Sequence, residues 1–406
     1  MLKPSPSYSW ATYLRWMLVT MLVVIASVGA FNAFVDPLGV FGAPRIVGLN
    51  ANKPHLDHHR ELARHKAAQR VCASTGFFGN SRANIGFDPQ SPALSAHGLM
   101  AFNHAIPGTT ATSSYRQFLW LQASGCLPKT IFLGVEFFDF LGGSLARPLP
   151  TLENTPPPTL DQRFFAESVI SVSGLRDSLA TLLLQRSTYP ATITDRGFNP
   201  LYNYIPEVEQ SGHYILFRQR AQENIRNWSR KPLRLHPHEN LPSDDEIKVD
   251  ALLGLAARNQ STTYLIIYPY HAQIRIMIER LGMGELFANW KRLLLALAER
   301  HNAQGGKVEV WDFSGIAPET LEGIPNKGDR RTHLKFYWEA GHFKKELGDL
   351  MIDRILGKAG NFGTKLTSET IDSWLDKDRQ DAKALSSTPS PLLNEVDDVI
   401  AHHASK

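Results

Sequence analysis

Five short apolar runs, spaced by stretches of helical period, constrain this chain more than any other feature. They occupy residues 73–79, 99–103, 130–138, 263–270 and 308–313. Each is bounded by turn or helix signals and has the length of a strand buried on both faces. Between them lie helical patterns such as 114–124 and 274–301. Strands alternating with helices predict a parallel, doubly wound sheet with right-handed crossovers, and so an α/β fold. At 406 residues, 43% hydrophobic and 20% charged, the chain is long enough for one large α/β domain with an insertion.

A second constraint sits near the amino end. Residues 16–35 carry no charge, and that length of helix spans the hydrocarbon core of a bilayer. A signal-peptide core is shorter, roughly 7–15 residues, although Ala26, Ser27, Gly29 and Ala30 offer small residues for cleavage. A buried core helix is the remaining alternative. The length and terminal position predict a single uncleaved anchor within residues 1–35. Lys3 and Arg15 precede the span and Asp36 follows it, which places the amino terminus inside, while Arg45 and Lys53 reduce the asymmetry. The expected location is the cytoplasmic membrane, with the bulk of the chain extracytoplasmic, in the periplasm of a Gram-negative cell. A net charge of +4 over this length, with no basic run interleaved with aromatics, gives no argument for nucleic acid.

Residues 36–49 are rich in Pro and Gly and predict an extended stalk; 52–70 are polar with Leu56, Leu62 and Ala63 on helical spacing, a surface helix. The main domain is expected over 71–357, interrupted by an insertion at about 141–250. That insertion opens with the proline-rich 148–158, continues into a helix over 161–185, and carries no motif of its own. Phe343, Leu347, Leu350, Met351 and Ile355 predict an amphipathic helix beginning at His342. In the tail, 358–406, a helix is expected over 367–384 and disorder over 385–406.

Chemistry concentrates at strand ends. Gly79-Asn80-Ser81-Arg82 follows the first strand, so the Ser81 hydroxyl falls at the carboxyl edge of the sheet, where open α/β sheets bind ligands. Serine there is also an ordinary helix N-cap. As a nucleophile it needs a base and donors for a developing oxyanion. Its own N–H is one donor, and Gly108 in Asn103-His104-Ala105-Ile106-Pro107-Gly108 is the second. His342, three residues after Glu339, is the candidate base, with Glu339 orienting one ring nitrogen from a position near a helix start. His271, after the fourth strand, is a rival base or substrate contact. Asp312, ending the fifth, is a substrate contact or alternative acid. The run His55, Asp57, His58, His59 lacks ligand spacing and is read as a solvated face, not a metal site. Cys72 and Cys126 precede the first and third strands. In a flavodoxin-like order 2-1-3-4-5 these strands are neighbours, so a disulfide is predicted at the amino edge, opposite the site.

The blocks taken together resemble the SGNH/GDSL hydrolases. Phe78-Gly79-Asn80-Ser81-Arg82 is similar to the block carrying the nucleophile, Asn103 to Thr109 to the block whose glycine donates to the oxyanion, and Glu339-Ala340-Gly341-His342 to the final Asp-x-x-His block. The anchor followed by Asp36-Pro37-Leu38-Gly39-Val40-Phe41 looks like exported bacterial SGNH-like proteins, with the alginate O-acetylation proteins and the D-alanyl transfer protein of teichoic acid synthesis among their relatives. The resemblance implies a three-layer α/β/α sandwich and an acyl-serine at Ser81. It also implies ester hydrolysis or O-acyl transfer on an envelope or exported glycan, with a multi-pass membrane acyltransferase as a possible partner and no cofactor. Three positions depart from it. Asn80 replaces Asp, Glu339 replaces Asp, and Gly134-Val135-Glu136-Phe137 stands where the family has Gly-x-Asn-Asp. The last departure removes an oxyanion donor and sets a carboxylate there, for which Arg82 is the expected partner. It favours a second function class, a non-catalytic glycan-binding or assembly subunit.

Overall fold

The computed structural model describes residues 9–54, 59–142, 156–229, 233–236 and 241–404. Two helices come first, the apolar α1 (Trp10–Val35) and the polar α2 (Arg60–Val71). Then follow β1 (Thr75–Phe78), α3 (Ser81–Gly86), β2 (Ala101–Asn103), α4 (Ala111–Ala123) and β3 (Thr130–Val135). The insertion supplies α5 (Val172–Leu184) and α6 (His213–Trp228). Next come α7 (Asp244–Arg258), β4 (Thr262–Ile267), α8 (Ala272–Arg280), α9 (Gly284–Asn302) and β5 (Lys307–Asp312). A hairpin, β6 (Tyr337–Glu339) and β7 (His342–Phe343), leads to α10 (Lys345–Ile355), β8 (Thr364–Leu366), α11 (Ile371–Ser387) and α12 (Pro391–Ala404).

The chain forms two compact units, residues 1–66 with 158–193, and residues 67–157 with 194–406. The expected insertion is thereby divided between them. In the first unit, α1 is long and apolar enough to cross a membrane. Its carboxyl end is held by Asn32, which donates to the Val169 carbonyl at 2.7 Å and accepts from Ser178 Oγ at 2.7 Å. The segment after α1 is not an extended stalk. Asp36, buried, accepts from the N–H groups of Val40, Phe41, Gly42 and Ala43 and winds the loop around its carboxylate. Lys53 Nζ closes it by donating to the carbonyls of Val35 and Asp36. The expected helix over 161–185 is broken after Val169; α5 restarts behind the cap of Ser171, whose Oγ accepts from Gly174 N–H.

The second unit is α/β, built on a six-stranded, mostly parallel sheet of order β2-β1-β3-β4-β5-β8. The five expected strands are present, one to three residues shorter at most ends, and only β8 runs antiparallel. Registers such as Phe78↔Leu133, Val135↔Ile267 and Ile267↔Asp312 bring the strand ends to a common carboxyl edge. Phe77, Phe132, Leu133, Leu265, Ile266 and Val310 fill the sheet's core, all essentially excluded from water. Cys72 and Cys126 are bonded at the opposite edge, Cα atoms 5.0 Å apart.

Three further expectations need correction. The helix expected over 274–301 is two helices, α8 and α9, because Gly282 turns the chain at φ +71°. The helix expected from His342 begins at Lys345, and His342 itself opens β7. The tail expected to be disordered from 385 is helical to Ala404. Leu393, Val396 and Val399 of α12 pack with Ala221, Ile225, Ile276 and Met277 of α6 and α8.

Candidate active site

β1 ends at Phe78, and Gly79 turns the chain at φ +139°, a conformation open to glycine and few others. The next residue, not Ser81, is the helix cap. Asn80 Oδ1 accepts from Arg82 N–H at 3.1 Å, which leaves Ser81 as the first helical residue with its hydroxyl unspent. Among the described residues the Ser81 N–H has no acceptor. Gly79 also admits a close neighbour. A Cβ there would lie 2.3 Å from Tyr268 Oη, and one on Gly134 would lie 2.2 Å from the same oxygen.

The hairpin β6–β7 delivers the partners. Glu339 ends β6, Ala340 and Gly341 turn, and His342 opens β7, so the i, i+3 pair meets across a tight turn and not on a helix. Glu339 Oε2 accepts from Gly341 N–H at 2.7 Å, and Oε1 pairs with His342 Nδ1. His342 Nε2 lies 2.8 Å from Ser81 Oγ. A carboxylate only accepts, so Nδ1 carries the proton and Nε2 presents its lone pair to the serine hydroxyl. Burial alone would push the Glu339 carboxyl up. The His342 imidazole, the Arg220 guanidinium and the Gly341 N–H outweigh it and hold the group at about 2.

Arg220, on α6, stands 3.0 Å from Glu339 Oε2. The sequence offered no signal for it, because an arginine on an amphipathic helix is usually only solvated. The same helix carries His213, whose Nε2 accepts from Leu334 N–H at 3.2 Å while Nδ1 donates to the Trp338 carbonyl at 3.1 Å. The insertion thus braces the strand that bears Glu339.

Other expected site residues do different work. His271 caps α8: Nδ1 accepts from Gln273 N–H at 3.1 Å and Nε2 donates to the Glu322 carbonyl at 2.8 Å. With both nitrogens committed and burial pulling its pKa down to about 4, it is not a rival base. Asp312, also buried, accepts from Ser314 N–H and Oγ and from Trp374 Nε1, and pairs with Lys291 at 2.8 Å, so it is not an alternative acid. Asn103 donates to the carbonyls of Ala83 and Phe87 at 2.8 Å each and accepts from Ala105 N–H, bracing α3. Gly108 lies in the turn after β2 at φ +67°, its N–H without an acceptor among the described residues. Ile106 N–H donates to Gly79 O at 3.2 Å and ties that turn to the serine turn.

Arg82 and Glu136 face each other. Glu136 pairs with the Arg82 guanidinium and accepts from Tyr270 Oη at 2.7 Å, while Tyr270 Oη accepts from Phe137 N–H. Despite its burial, Arg82 is held more firmly charged than usual by Glu136 and the two tyrosines. A cavity of only about 10 Å³, room for about one water, lies beside Glu136, lined in part by Asn80, Thr109, Asp139 and Asp245. Asp139 is pushed up to about 8 by burial and by the Glu136 and Asp245 carboxylates, against the pull of Arg82 and an Asn80 hydrogen bond. His55, Asp57 and His58 lie outside the described residues, and His59 Nε2 lies 3.2 Å from Ser168 Oγ. Among the described residues no group of three or more His, Cys, Asp or Glu could hold a metal ion. No protein-family model and no curated protein matches the chain.

Proposed function

We propose that this chain is a membrane-anchored serine esterase or O-acyltransferase with an SGNH-like α/β/α sandwich of flavodoxin-like order. Its substrate would be an acylated glycan of the cell envelope or an exported one. The observation that supports this reading is the 2.8 Å contact between Ser81 Oγ and His342 Nε2, backed by the buried Glu339 carboxylate. Ser81 Oγ attacks the ester carbonyl carbon as its proton passes to His342 Nε2. The resulting imidazolium is stabilised by Glu339, which stays ionised throughout. His342 then gives that proton to the departing sugar oxygen, and an acyl-serine remains. Water, or an acceptor hydroxyl, attacks the acyl carbon while His342 takes its proton; the bond from Ser81 Oγ to the acyl carbon then breaks and His342 returns that proton to Ser81 Oγ. The oxyanion sits against the N–H groups of Ser81 and Gly108.

Glu136 cannot donate to an oxyanion, but Arg82 and Tyr270 neutralise its charge, so it does not repel one. The chain's own side chains carry every step, so the scheme needs no cofactor. The anchor would face the catalytic unit outward from the cytoplasmic membrane, within reach of a multi-pass acyltransferase supplying acyl groups. One observation favours a second reading, a non-catalytic glycan-binding or assembly subunit: position 136 supplies no oxyanion donor. Hydrolysis of an aryl acetate by the full-length protein in detergent separates the two. Catalysis predicts turnover that falls by at least about 10³-fold in Ser81→Ala; turnover unchanged by that substitution defeats it.

A further inference from the structure

We infer that the helical hairpin over residues 162–184 is a second membrane contact, its tip seated in the lipid interface beside the end of α1. The inference rests on α1 crossing the bilayer and goes beyond the serine site. α1 has 26 residues, a rise of about 39 Å against a hydrocarbon core of about 30 Å. Trp10, Tyr13 and Trp16 cluster at its amino end, as aromatic side chains do at a membrane boundary. Counted from there, the core ends in the last turn or two of α1.

The hairpin tip reaches below that level. A Cβ on Gly29 would lie 3.4 Å from Ile170 Cγ2 and 3.8 Å from Val169 Cγ1. Gly29 is six residues before the end of α1, about 9 Å along its axis. The contact is made in the manner of helices packed within lipid, through small residues and a polar bond between helices. Gly174 and Ser178 of α5 face Asn32, whose side chain bonds both Ser178 and the Val169 carbonyl.

The opposite face of the hairpin is apolar and bare. Val172 is 85% exposed and Leu183 74%, with Leu179, Ile170 and Phe165 also exposed. At 100° per residue, positions 172, 179 and 183 fall in one sector of about 40°, away from Gly174 and Ser178. Arg176 lies about 20° beyond the edge of that sector, and its long stem lets the guanidinium reach the phosphates while the leucines stay in acyl chains. Lipid is the fitting occupant because the hairpin is packed on the membrane-crossing α1, whose Leu22, Val23 and Phe34 are exposed as well.

The test uses the full chain in liposomes, with single cysteines carrying an environment-sensitive fluorophore; the native cysteines are already bonded to each other. Val172→Cys and Leu183→Cys probe the hairpin, Val23→Cys the span, and Lys358→Cys the water-facing reference. The expected result is blue-shifted emission at 172 and 183, quenched by nitroxide lipids and protected from iodide, with 172 the deeper. Iodide quenching at 172 equal to that at 358 would put the hairpin in water and overturn the inference. Protection from both quenchers would mean a protein partner and overturn it equally. Iodide quenching at 23 would refute the anchor itself, a distinct failure.

Discussion

Glu339 divides its two oxygens between different tasks. Oε1 orients the imidazole, and Oε2 is fixed by Gly341 N–H and Arg220. The extra methylene relative to aspartate is accommodated because the carboxyl folds back over its own turn. Glu339→Gln should lower kcat by about 10⁴-fold, since an amide there favours the wrong ring tautomer. Arg220 bonds Glu339 and Glu223 and not Ser81, which makes it a positioning residue. Arg220→Met should cost about tenfold in kcat with KM unchanged, and Arg220→Lys should restore part of it; equal KM and kcat effects would show that Arg220 binds substrate. Asp139 makes a separate prediction. Folded, it keeps its proton to about pH 8, whereas unfolded it releases it near its ordinary value of 3.8, so the native state loses stability as pH rises through that window. Asp139→Asn lacks this loss. Its gain over the parent, followed by urea midpoints, should grow from about pH 4 and level off above about 8, and a gain independent of pH would contradict it. The meeting of Ser81, Glu339 and His342 was legible because a strand-to-helix turn and an i, i+3 pair each mark a polar residue out from the apolar runs. Asn103, His271 and Asp312 proved to be bonded within the fold, which the sequence hid because every polar residue at a strand's carboxyl end looks alike until its hydrogen bonds are known.

Elements were legible where burial forces a pattern. β1, β3 and β4 are mainly apolar runs and β5 carries Val308, Val310 and Trp311 between polar residues, while the order 2-1-3-4-5 was taken from a flavodoxin-like arrangement and not from the runs themselves. β8, at Thr364–Leu366, has three residues and no run to detect. The split between α8 and α9 was signalled by Leu281-Gly282-Met283-Gly284, but the flanking helical period concealed it. α12 was dismissed on its polarity, although Leu393, Val396 and Val399 keep a helical period and find a core. At the nucleophile turn, β1 and β3 end where Tyr268 reaches between them. Gly134→Ala should destabilise the protein by about 1–3 kcal/mol. Removing the hydroxyl with Tyr268→Phe should not rescue it, because the added Cβ also meets ring carbons at 2.4 and 2.5 Å. Full rescue in thermal melts would show that the hydroxyl alone sets the constraint.

At the scale of the whole molecule, the disulfide and the Ser81–His342 contact lie at opposite edges of one sheet. The Cys72–Cys126 bond closes a 54-residue separation at the amino edge, away from the serine turn. Replacing both cysteines by serine should remove about 4 kcal/mol of stability while leaving turnover at low temperature intact. Lost turnover in a still-folded variant would show that the two edges are coupled. The insertion was unreadable in the sequence because its role is tertiary: one part packs with α1, and another carries Arg220 to Glu339. The measurement that bears most directly on the account is fluorophosphonate labelling of the full-length protein, followed by mass mapping of the adduct. The triad geometry predicts a single adduct on Ser81, absent in Ser81→Ala and strongly reduced in a His342→Ala variant that remains folded. A stoichiometric adduct on any other residue, or none on the folded parent, would contradict it.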